Sequence, residues 1–275
     1  MAPAAADVRH RELFLWVTGI LAVGQLLRFH TLSRDEVLQS FLTSITSRSV
    51  FQYLAWYVVF WLLAGGGASR PASRFDGGFG LVAALVALLP SVFFGWLSIT
   101  AVGLYLLASS PSATKTRGAA IVLLALSING YWAPKFFSLF GIPLMQAEAA
   151  IVWASLSLTG TGMSLYGTLI SSPEHSIVVV GACSAFHNVS TGLLCWAALT
   201  MLVRPTWAPR DVSVALLVCA AVVLLNTVRL HLLALSYANY AYWELGAGAT
   251  LLTWAIQAVV VAISLYGALR ARRTV

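Results

Sequence analysis

Charged residues are scarce in this chain of 275 residues. Asp, Glu, Lys and Arg make up 9% of it, against about 25% in a soluble domain. Hydrophobic residues make up 60%, and the mean hydropathy is +0.87. The composition excludes an ordinary soluble domain and predicts an integral membrane protein in the lipid bilayer. The net charge is +7, but the basic residues lie in short clusters between apolar runs, which is a topology signal, so no nucleic-acid partner is expected.

Cysteine is scarce as well. The chain has three cysteines without paired spacing, which excludes a disulfide framework and a zinc signature. No cofactor signature is present either, so neither a metal nor a cofactor is expected. The opening "MAPAAADVRHRE" leads into an apolar run with no clear small-residue cleavage site. This indicates an uncleaved first span and not a signal peptide.

Long apolar runs are abundant and define the predicted spans. A spanning helix needs about 20 apolar residues. Six segments meet this requirement: residues 13–29, 50–66, 118–134, 183–203, 212–235 and 247–269. Residues 78–110 are too long for one span and short for two, and Pro90 and Gly95 predict two short helices joined by a tight turn. The predicted fold class is an all-α polytopic membrane protein with about eight transmembrane helices.

The loop charges predict the orientation of these spans. With eight spans, eleven basic residues lie on the side of both termini and five lie on the other side. The first set is Arg9, Arg11, Arg70, Arg74, Lys115, Arg117, Arg204, Arg210, Arg270, Arg272 and Arg273; the second is Arg28, Arg34, Arg48, Lys135 and Arg229. Cytoplasmic loops carry the excess of Lys and Arg, so the N- and C-termini are expected in the cytoplasm and the protein in the cytoplasmic (inner) membrane.

The segment between the predicted fifth and sixth spans is harder to interpret. Residues 147–159 are apolar but short, which favours an interfacial or re-entrant helix on the outer face. The following "GTLISSPEHSIVVVG" combines a Ser-Pro turn with β-branched residues and predicts an extended loop or hairpin. No repeat or low-complexity linker interrupts the chain. Residues 1–275 are therefore expected to form a single domain.

Three chemically active residues are predicted to lie at one depth on the outer side. Cys183 opens the sixth span, Arg229 ends the seventh, and Glu244 precedes the eighth. A thiol must become a thiolate before it attacks a carbonyl, and both a helix N-terminus and a nearby cation lower its pKa. Arg229 and the backbone N–H groups at the helix start are also suited to bind a tetrahedral oxyanion or a substrate carboxylate. Their convergence predicts a catalytic site facing the periplasm or the cell exterior.

Nearby polar residues have competing interpretations. Asn226 lies three residues before Arg229 on the same helix face and is expected to orient the guanidinium. His187 lies one helical turn after Cys183 and is a candidate base, although, taken alone, an interhelical hydrogen bond is the favoured explanation for it. Cys183 alone is also compatible with a small helix-packing residue. Glu174 and His175 are expected to be solvated in the outer loop.

The order of these motifs resembles a known family. "ACSAFHN", then "NTVR", then an aromatic–polar–Gly-x-Gly turn before the last span is similar to the exosortase/archaeosortase family, most specifically over residues 165–260. The resemblance implies a membrane-embedded cysteine protease or transpeptidase. Such an enzyme recognises the C-terminal sorting signal of an exported, membrane-anchored precursor and cleaves it on the outer face of the cytoplasmic membrane. It further implies that Cys183 is the nucleophile and that Arg229 is the essential arginine.

The third family position departs from the pattern. The family has histidine before x-Gly-x-Gly, whereas this chain has Glu244 in "WELGAG". A carboxylate accepts protons, but it also competes for Arg229 and raises the pKa of a nearby thiol. Three interpretations follow: Glu244 is the base, His187 replaces the missing histidine, or activity is impaired.

The departure also supports a non-enzymatic alternative. Under it, the chain binds a transmembrane sorting helix, or assembles with an exopolysaccharide or protein-export apparatus. A small transporter is disfavoured because the spans contain almost no ionisable groups apart from His187. The sequence leaves open the precursor, its cleavage motif, the acceptor nucleophile and the oligomeric state.

Overall fold

A computed structural model describes residues 9–26, 49–65, 70–110, 112–160, 162–172 and 175–272. Of these described residues, 82% are helical. Among the described residues, four helices are long and apolar enough to cross a membrane: Val92–Ser109, Thr114–Leu158, Pro209–Leu235 and Ala247–Arg270. Two shorter apolar helices are Val50–Ala64 and Asn188–Val203. A polytopic helical membrane protein is thus confirmed, whereas eight spans and cytoplasmic termini stay predictions.

The chain divides into two compact units, which are described separately. The first lies within Met1–Tyr131 and Ala197–Ala208, and the second within Trp132–Trp196 and Pro209–Val275. The expectation of a single domain over residues 1–275 stays a prediction.

The first unit is a bundle of apolar helices. In chain order they are α1 (His10–Leu26), α2 (Val50–Ala64), α3 (Arg74–Ala87), α4 (Val92–Ser109) and α5 (Thr114–Ser127). Their core is aliphatic, with Val58, Leu62, Ile99, Leu106 and Leu123 fully buried. Helices α4 and α5 approach closely at Gly103, where a Cβ atom would lie 2.9 Å from Leu124. Small residues permit such close packing between apolar helices.

The two helices predicted within 78–110 are confirmed. Helix α3 ends at Ala87 and α4 begins at Val92, so the chain breaks at residues 88–91, around Pro90. Proline cannot donate the next helical hydrogen bond, which explains the break. Gly95 was expected to share in the turn, but it lies buried inside α4.

A buried carboxylate fixes the start of α3. Asp76 is fully buried and accepts bonds from Arg70 Nη1 and Nη2 at 2.6 and 2.7 Å, from Ser73 N at 2.6 Å, and from the Tyr105 hydroxyl. His10 Nε2 lies 3.4 Å from the same carboxylate. Burial alone would raise the pKa of Asp76, but the hydrogen bonds from Arg70, Tyr105 and Ser73 hold it well below its usual range. Asp76 is therefore a structural anion that joins α1, α3 and α4.

Replacement of Asp76 by alanine should destabilise the protein by about 3 kcal/mol. Removing one partner of a buried pair costs about 3–5 kcal/mol, and the lower end applies because Arg70 is half exposed and can turn to water. A thermal melt in detergent should show a lower Tm. Glu12→Ala removes an exposed carboxylate and should leave the Tm unchanged. An Asp76→Ala variant that melts at the wild-type temperature would contradict this assignment.

The second unit contains α6 (Ala133–Leu158), β1 (Ser164–Tyr166), β2 (Leu169–Ser171), β3 (Ser176–Val178) and part of α7 (Ala185–Val203). It continues with α8 (Pro209–Leu235), α9 (Tyr237–Tyr240), a π-helical segment (Ala241–Leu245) and α10 (Ala247–Arg272). A 3₁₀ turn, Gly181–Cys183, precedes α7. These elements hold every residue of the candidate site.

The predicted short interfacial helix over 147–159 is wrong. Residues 147–158 are the last part of α6, which continues from α5 through a π-helical turn, so that Thr114–Leu158 is a single helix of 45 residues. The sequence "LMQAEAAIVWASL" is rich in strong helix formers and lacks glycine or proline. Pro143 lies within α6 without ending it. Nothing in the segment isolates residues 147–159 as a helix of their own.

The extended loop before the cysteine is confirmed as a small antiparallel sheet. Its order is β1-β2-β3, with Leu165 opposite Ile170 and Ile170 opposite Ile177. Ile170 and Ile177 are buried against α6 and α8 in one apolar cluster. A positive φ of +63° at Gly167 forms the β1–β2 turn, a conformation that glycine adopts without strain. The sheet is thereby anchored on two helices and leads into the cysteine turn.

Candidate active site

Cys183 lies in the 3₁₀ turn and not at the start of α7. Its N–H donates to the Val180 carbonyl at 2.8 Å, and α7 begins two residues later at Ala185. The expectation that Cys183 opens the helix is therefore wrong by two residues. The reason is that Ser184 has an extended conformation (φ −70°, ψ 138°), which separates the turn from the helix.

The first N–H groups of α7 are already bound. Ala185 N donates to Glu148 Oε1 at 2.8 Å, and Phe186 N donates to Ser184 Oγ at 3.2 Å. These donors were expected to hold an oxyanion, and their engagement leaves that role to other groups. A helix N-terminus favours a carboxylate partner, which accounts for Glu148 at this position.

Glu148 was missed in the sequence. It comes from α6, is half-buried, and accepts the first N–H group of the helix that follows the cysteine. Its position could have identified it, because a lone carboxylate inside an apolar segment is by itself a reason to expect a functional or structural role. Its contact with Ala185 was not predictable because the two residues lie far apart in the sequence.

Arg229 and Glu244 form an ion pair. Arg229 Nη2 donates to Glu244 Oε2, and the side chains are 17% and 24% exposed. Arg229 comes from α8 and Glu244 from the π-helical segment, which ends at Leu245 and is followed by Gly246. The competition of the carboxylate for the guanidinium, predicted from the sequence, is present in the structure.

The thiol of Cys183 has a raised pKa. Burial is the main cause, the negative charge of Glu244 adds to it, and the positive charge of Arg229 opposes it. Both charged groups therefore act on the thiol, but their net effect with burial disfavours the thiolate. At neutral pH the thiol is therefore protonated, and an attack by its sulfur on a carbonyl would need a group that removes this proton.

Asn226 contacts the cysteine and not the arginine. Its Nδ2 donates to the Cys183 carbonyl at 2.9 Å, and its side chain is fully buried. The expectation that Asn226 orients the Arg229 guanidinium is thus not what the structure shows. The guanidinium is held by Glu244, and the amide of Asn226 binds the backbone of Cys183.

A cavity of about 680 Å³ contains Cys183 and Glu244 on its wall. The other lining residues are Ser172, His175, Ser176, Ile177, Val178, Val180, Leu230, Leu233, Tyr237 and Tyr240. The cavity is large enough for several residues of a peptide, and it borders the sheet on one side and α8 and α9 on the other. The thiol and the carboxylate therefore face one shared substrate-sized space.

His175 is a wall residue of this cavity and not a solvated loop residue as expected. Its Nε2 donates to the Leu233 carbonyl at 3.0 Å, and its ring lies 6.0 Å from that of Tyr240. The short sheet holds it there, and no sequence pattern predicted that arrangement. Glu174, expected beside it in solvent, lies outside the described residues.

The remaining histidines of this unit are His187 and His231. His187 belongs to the first turn of α7, but its side chain lies outside the described part of the structure, so its candidacy as a base stays a prediction. His231 Nδ1 is hydrogen-bonded to Ser155 Oγ at 2.8 Å, which links α8 to α6. Across the described residues, no group of three His, Cys, Asp or Glu side chains is arranged to hold a metal ion.

The family model for transmembrane exosortases matches residues 13–267. The chain belongs to the transmembrane exosortase family. No curated protein and no solved structure gives a significant match. Members of this family are generally cysteine transpeptidase-like proteins of protein sorting. In this exosortase the cysteine turn, the arginine of α8 and the Gly-x-Gly turn all occur within the matched region, with Glu244 at the place where the resemblance leads one to expect histidine.

The Gly-x-Gly turn of this exosortase has a steric basis. A Cβ atom at Gly248 would lie 2.7 Å from the Trp243 ring and 2.8 Å from the Tyr242 ring. At Gly246 it would lie 2.9 Å from the Tyr242 carbonyl. Both glycines therefore allow the π-helical segment to pack on the start of α10, which places Glu244 beside Arg229.

Proposed function

We propose that this exosortase is a membrane-embedded cysteine protease or transpeptidase. It recognises the C-terminal sorting signal of an exported, membrane-anchored precursor and cleaves it at the outer face of the cytoplasmic membrane. The observation that carries the proposal is the shared cavity of Cys183 and Glu244, with Arg229 bound to the same carboxylate. A nucleophile, a proton acceptor and a cation are thus collected around a space that fits a peptide.

The proposed first step uses all three groups. Glu244 removes the thiol proton, and the Cys183 sulfur forms a bond to the scissile carbonyl carbon, whose oxygen becomes the oxyanion. Once protonated, Glu244 no longer holds Arg229 by charge, so the guanidinium becomes available to the oxyanion. The C–N bond then breaks, the amine leaves with the proton from Glu244, and a thioester on Cys183 remains. Water or an acceptor amine attacks this thioester and regenerates the thiol.

Glu244→Gln should separate thiol reactivity from catalysis. Loss of the negative charge lowers the raised pKa of Cys183, so iodoacetamide should label this thiol faster at pH 7 than in the wild type. Precursor cleavage should nevertheless fall by about 10²-fold, because glutamine does not accept the proton. Labelling is followed by mass spectrometry of the Cys183 peptide and cleavage by immunoblotting.

Glu244→Asp is the matched control for this variant. It keeps the charge, so its labelling rate should stay near that of the wild type. If Glu244→Gln cleaves the precursor at the wild-type rate, Glu244 is not the base, and His187 becomes the next candidate.

The function itself is tested with a doubly tagged precursor. Co-expression with the wild-type chain should release an N-terminal fragment, while the C-terminal tag stays with the sorting helix. The mass of the new C-terminus distinguishes hydrolysis, which adds water, from transpeptidation, which adds an amine. An acid-quenched thioester on the Cys183 peptide, released by hydroxylamine, would identify the intermediate. If the precursor that carries the sorting signal stays intact in every host tested, the proposed peptidase function is contradicted.

A non-catalytic role is the second candidate. It is favoured by the ion pair that occupies Arg229 and by the raised pKa of Cys183. Such a chain would bind a transmembrane sorting helix, or associate with an exopolysaccharide or export apparatus. It predicts slow iodoacetamide labelling of Cys183 at every pH up to about 8, with no processed precursor. Cleavage that rises with pH as the thiol ionises would instead support the enzyme.

A further inference from the structure

Strand β3 is one of the two outer strands of the small sheet. It pairs with β2 on one side, and its other edge has no strand partner within the described ranges. An exposed strand edge presents N–H and C=O groups that can pair with another extended chain. The edge of β3 therefore has the chemistry of a peptide-binding surface.

The register identifies the groups that this edge presents. Val179 N donates to the Thr168 carbonyl at 2.9 Å, and Ser172 N donates to the His175 carbonyl at 2.8 Å. In an antiparallel pair, alternate residues direct both backbone groups to the partner strand, so His175, Ile177 and Val179 face β2. The backbone N–H and C=O groups of Ser176 and Val178 consequently point away from β2, toward the outer edge.

The same edge borders the cavity that contains Cys183. Side chains of neighbouring strand residues point to opposite faces, yet the consecutive residues His175, Ser176, Ile177 and Val178 all line this cavity. Contact with four successive residues means that the cavity runs along the strand edge and not along one face. The chain then passes Val180, another wall residue, to reach Cys183.

We propose that the substrate binds as a fourth strand on the outer edge of β3. The occupant is an extended segment of the precursor next to its scissile bond, and its backbone pairs with Ser176 and Val178. This inference rests on the proposed peptidase function. A helical segment cannot make these bonds, because its own backbone groups are already paired within the helix. The cleaved part of the sorting signal must therefore be extended and lie outside the transmembrane helix that follows it.

Strand pairing also divides recognition between backbone and side chains. Backbone bonds to an edge give affinity that is tolerant of sequence, and alternate side chains give specificity. On this edge, one set of substrate side chains faces the cavity wall formed by Tyr237, Tyr240 and His175. The site is thus expected to be selective for the side chain of every second residue in the bound segment of the precursor.

Peptide chloromethyl ketones test the pairing without a known precursor. In this reaction the Cys183 thiolate displaces chloride and forms a thioether. Each labelling rate is divided by the iodoacetamide rate at Cys183, which reports the reactivity of the thiol itself. On this scale, a library of N-acetyl tetrapeptidyl chloromethyl ketones should contain members that label Cys183 at least about tenfold faster than acetyl-glycyl chloromethyl ketone does. The fastest member is then N-methylated at one residue at a time. The rate advantage should be lost at every second residue, where the N–H bonds to β3, and kept at the residues between them. Uniform tolerance of N-methylation would overturn the proposal.

Val178→Pro tests the protein side of the pairing. The Val178 N–H does not bond to β2, so proline removes an outer-edge donor and leaves the β2–β3 bonds in place. The advantage of the tetrapeptide should be lost, while the iodoacetamide rate at Cys183 is unchanged. Leu165→Pro is the matched control, because alternation along β1 directs the Leu165 N–H to the opposite edge of the sheet, and it should keep the advantage. If Val178→Pro does not fold, the N-methyl series on the wild-type chain decides the question.

The two proposals fail in different ways. If Cys183 is dispensable for precursor cleavage, the peptidase function fails whatever the peptide probes show. Suppose instead that cleavage needs Cys183, that Val178→Pro is labelled as the wild type is, and that the N-methylated probes label as fast as the parent probe. In that case only the strand pairing is overturned.

Discussion

Cys183→Ala should abolish precursor cleavage, with a loss of at least about 10³-fold. The thiol is the proposed attacking atom, and its removal leaves only binding and charge stabilisation, which do not form the thioester. The variant should fold normally, because alanine keeps the 3₁₀ turn, the Val180–Cys183 backbone bond and the Asn226 bond to the backbone carbonyl of residue 183. Cleavage is measured as release of the N-terminal tag of the precursor.

Two other thiols provide the control for this experiment. Cys195 is buried in α7 and Cys219 is half-buried in α8, and neither lines the cavity. Cys219→Ala should therefore cleave the precursor at the wild-type rate. Normal cleavage by Cys183→Ala would exclude a cysteine mechanism, and loss of cleavage in both variants would indicate a packing effect.

Arg229→Ala should reduce cleavage by about 10²–10³-fold, the effect of removing a main donor to an oxyanion. The substitution has a second consequence. Arg229 is the charge that opposes the raised pKa of Cys183, so its loss should move iodoacetamide labelling of this thiol to higher pH. Arg229→Lys keeps the charge but not the planar guanidinium. Its pH profile of labelling should therefore stay close to that of the wild type, while its cleavage rate falls.

The double variant Arg229→Ala/Glu244→Gln separates the two consequences. It removes both charges of the ion pair, so the pH profile of labelling should return toward that of the wild type. Cleavage should stay low, because neither the proton acceptor nor the cation is restored. Near-wild-type cleavage by Arg229→Ala would contradict the assignment of the guanidinium as a donor to the oxyanion.

The sequence was sufficient to predict that Glu244 competes for Arg229, as their ion pair shows. The prediction placed Cys183, Arg229 and Glu244 at the ends of successive apolar segments, and segment ends on the same side of a membrane lie at similar depth. The split of residues 78–110 has a different basis, the length of that apolar run. Local signals such as Pro90 and the β-branched residues before Cys183 were equally informative, because they act on the backbone within a few residues.

The residues that the sequence did not assign depend on long-range packing. Glu148 reaches Ala185 from α6, across 37 positions of the chain, and His175 is oriented by a carbonyl of α8. Apolar periodicity does not reveal such contacts, because it does not specify which faces of which helices meet. The error at residues 147–159 has a different origin: the short apolar length and the loop charges suggested a separate helix, whereas α6 continues past Pro143 to Leu158.

Asn226 and Arg229 act from one helix, and this has a mechanical consequence. They lie three residues apart on α8, on one face and about 4.5 Å apart along the axis. Asn226 binds the backbone carbonyl of Cys183, and Arg229 binds Glu244. Both bonds depend on the position of α8, so a displacement of this one helix would act on the cysteine turn and on the ion pair together.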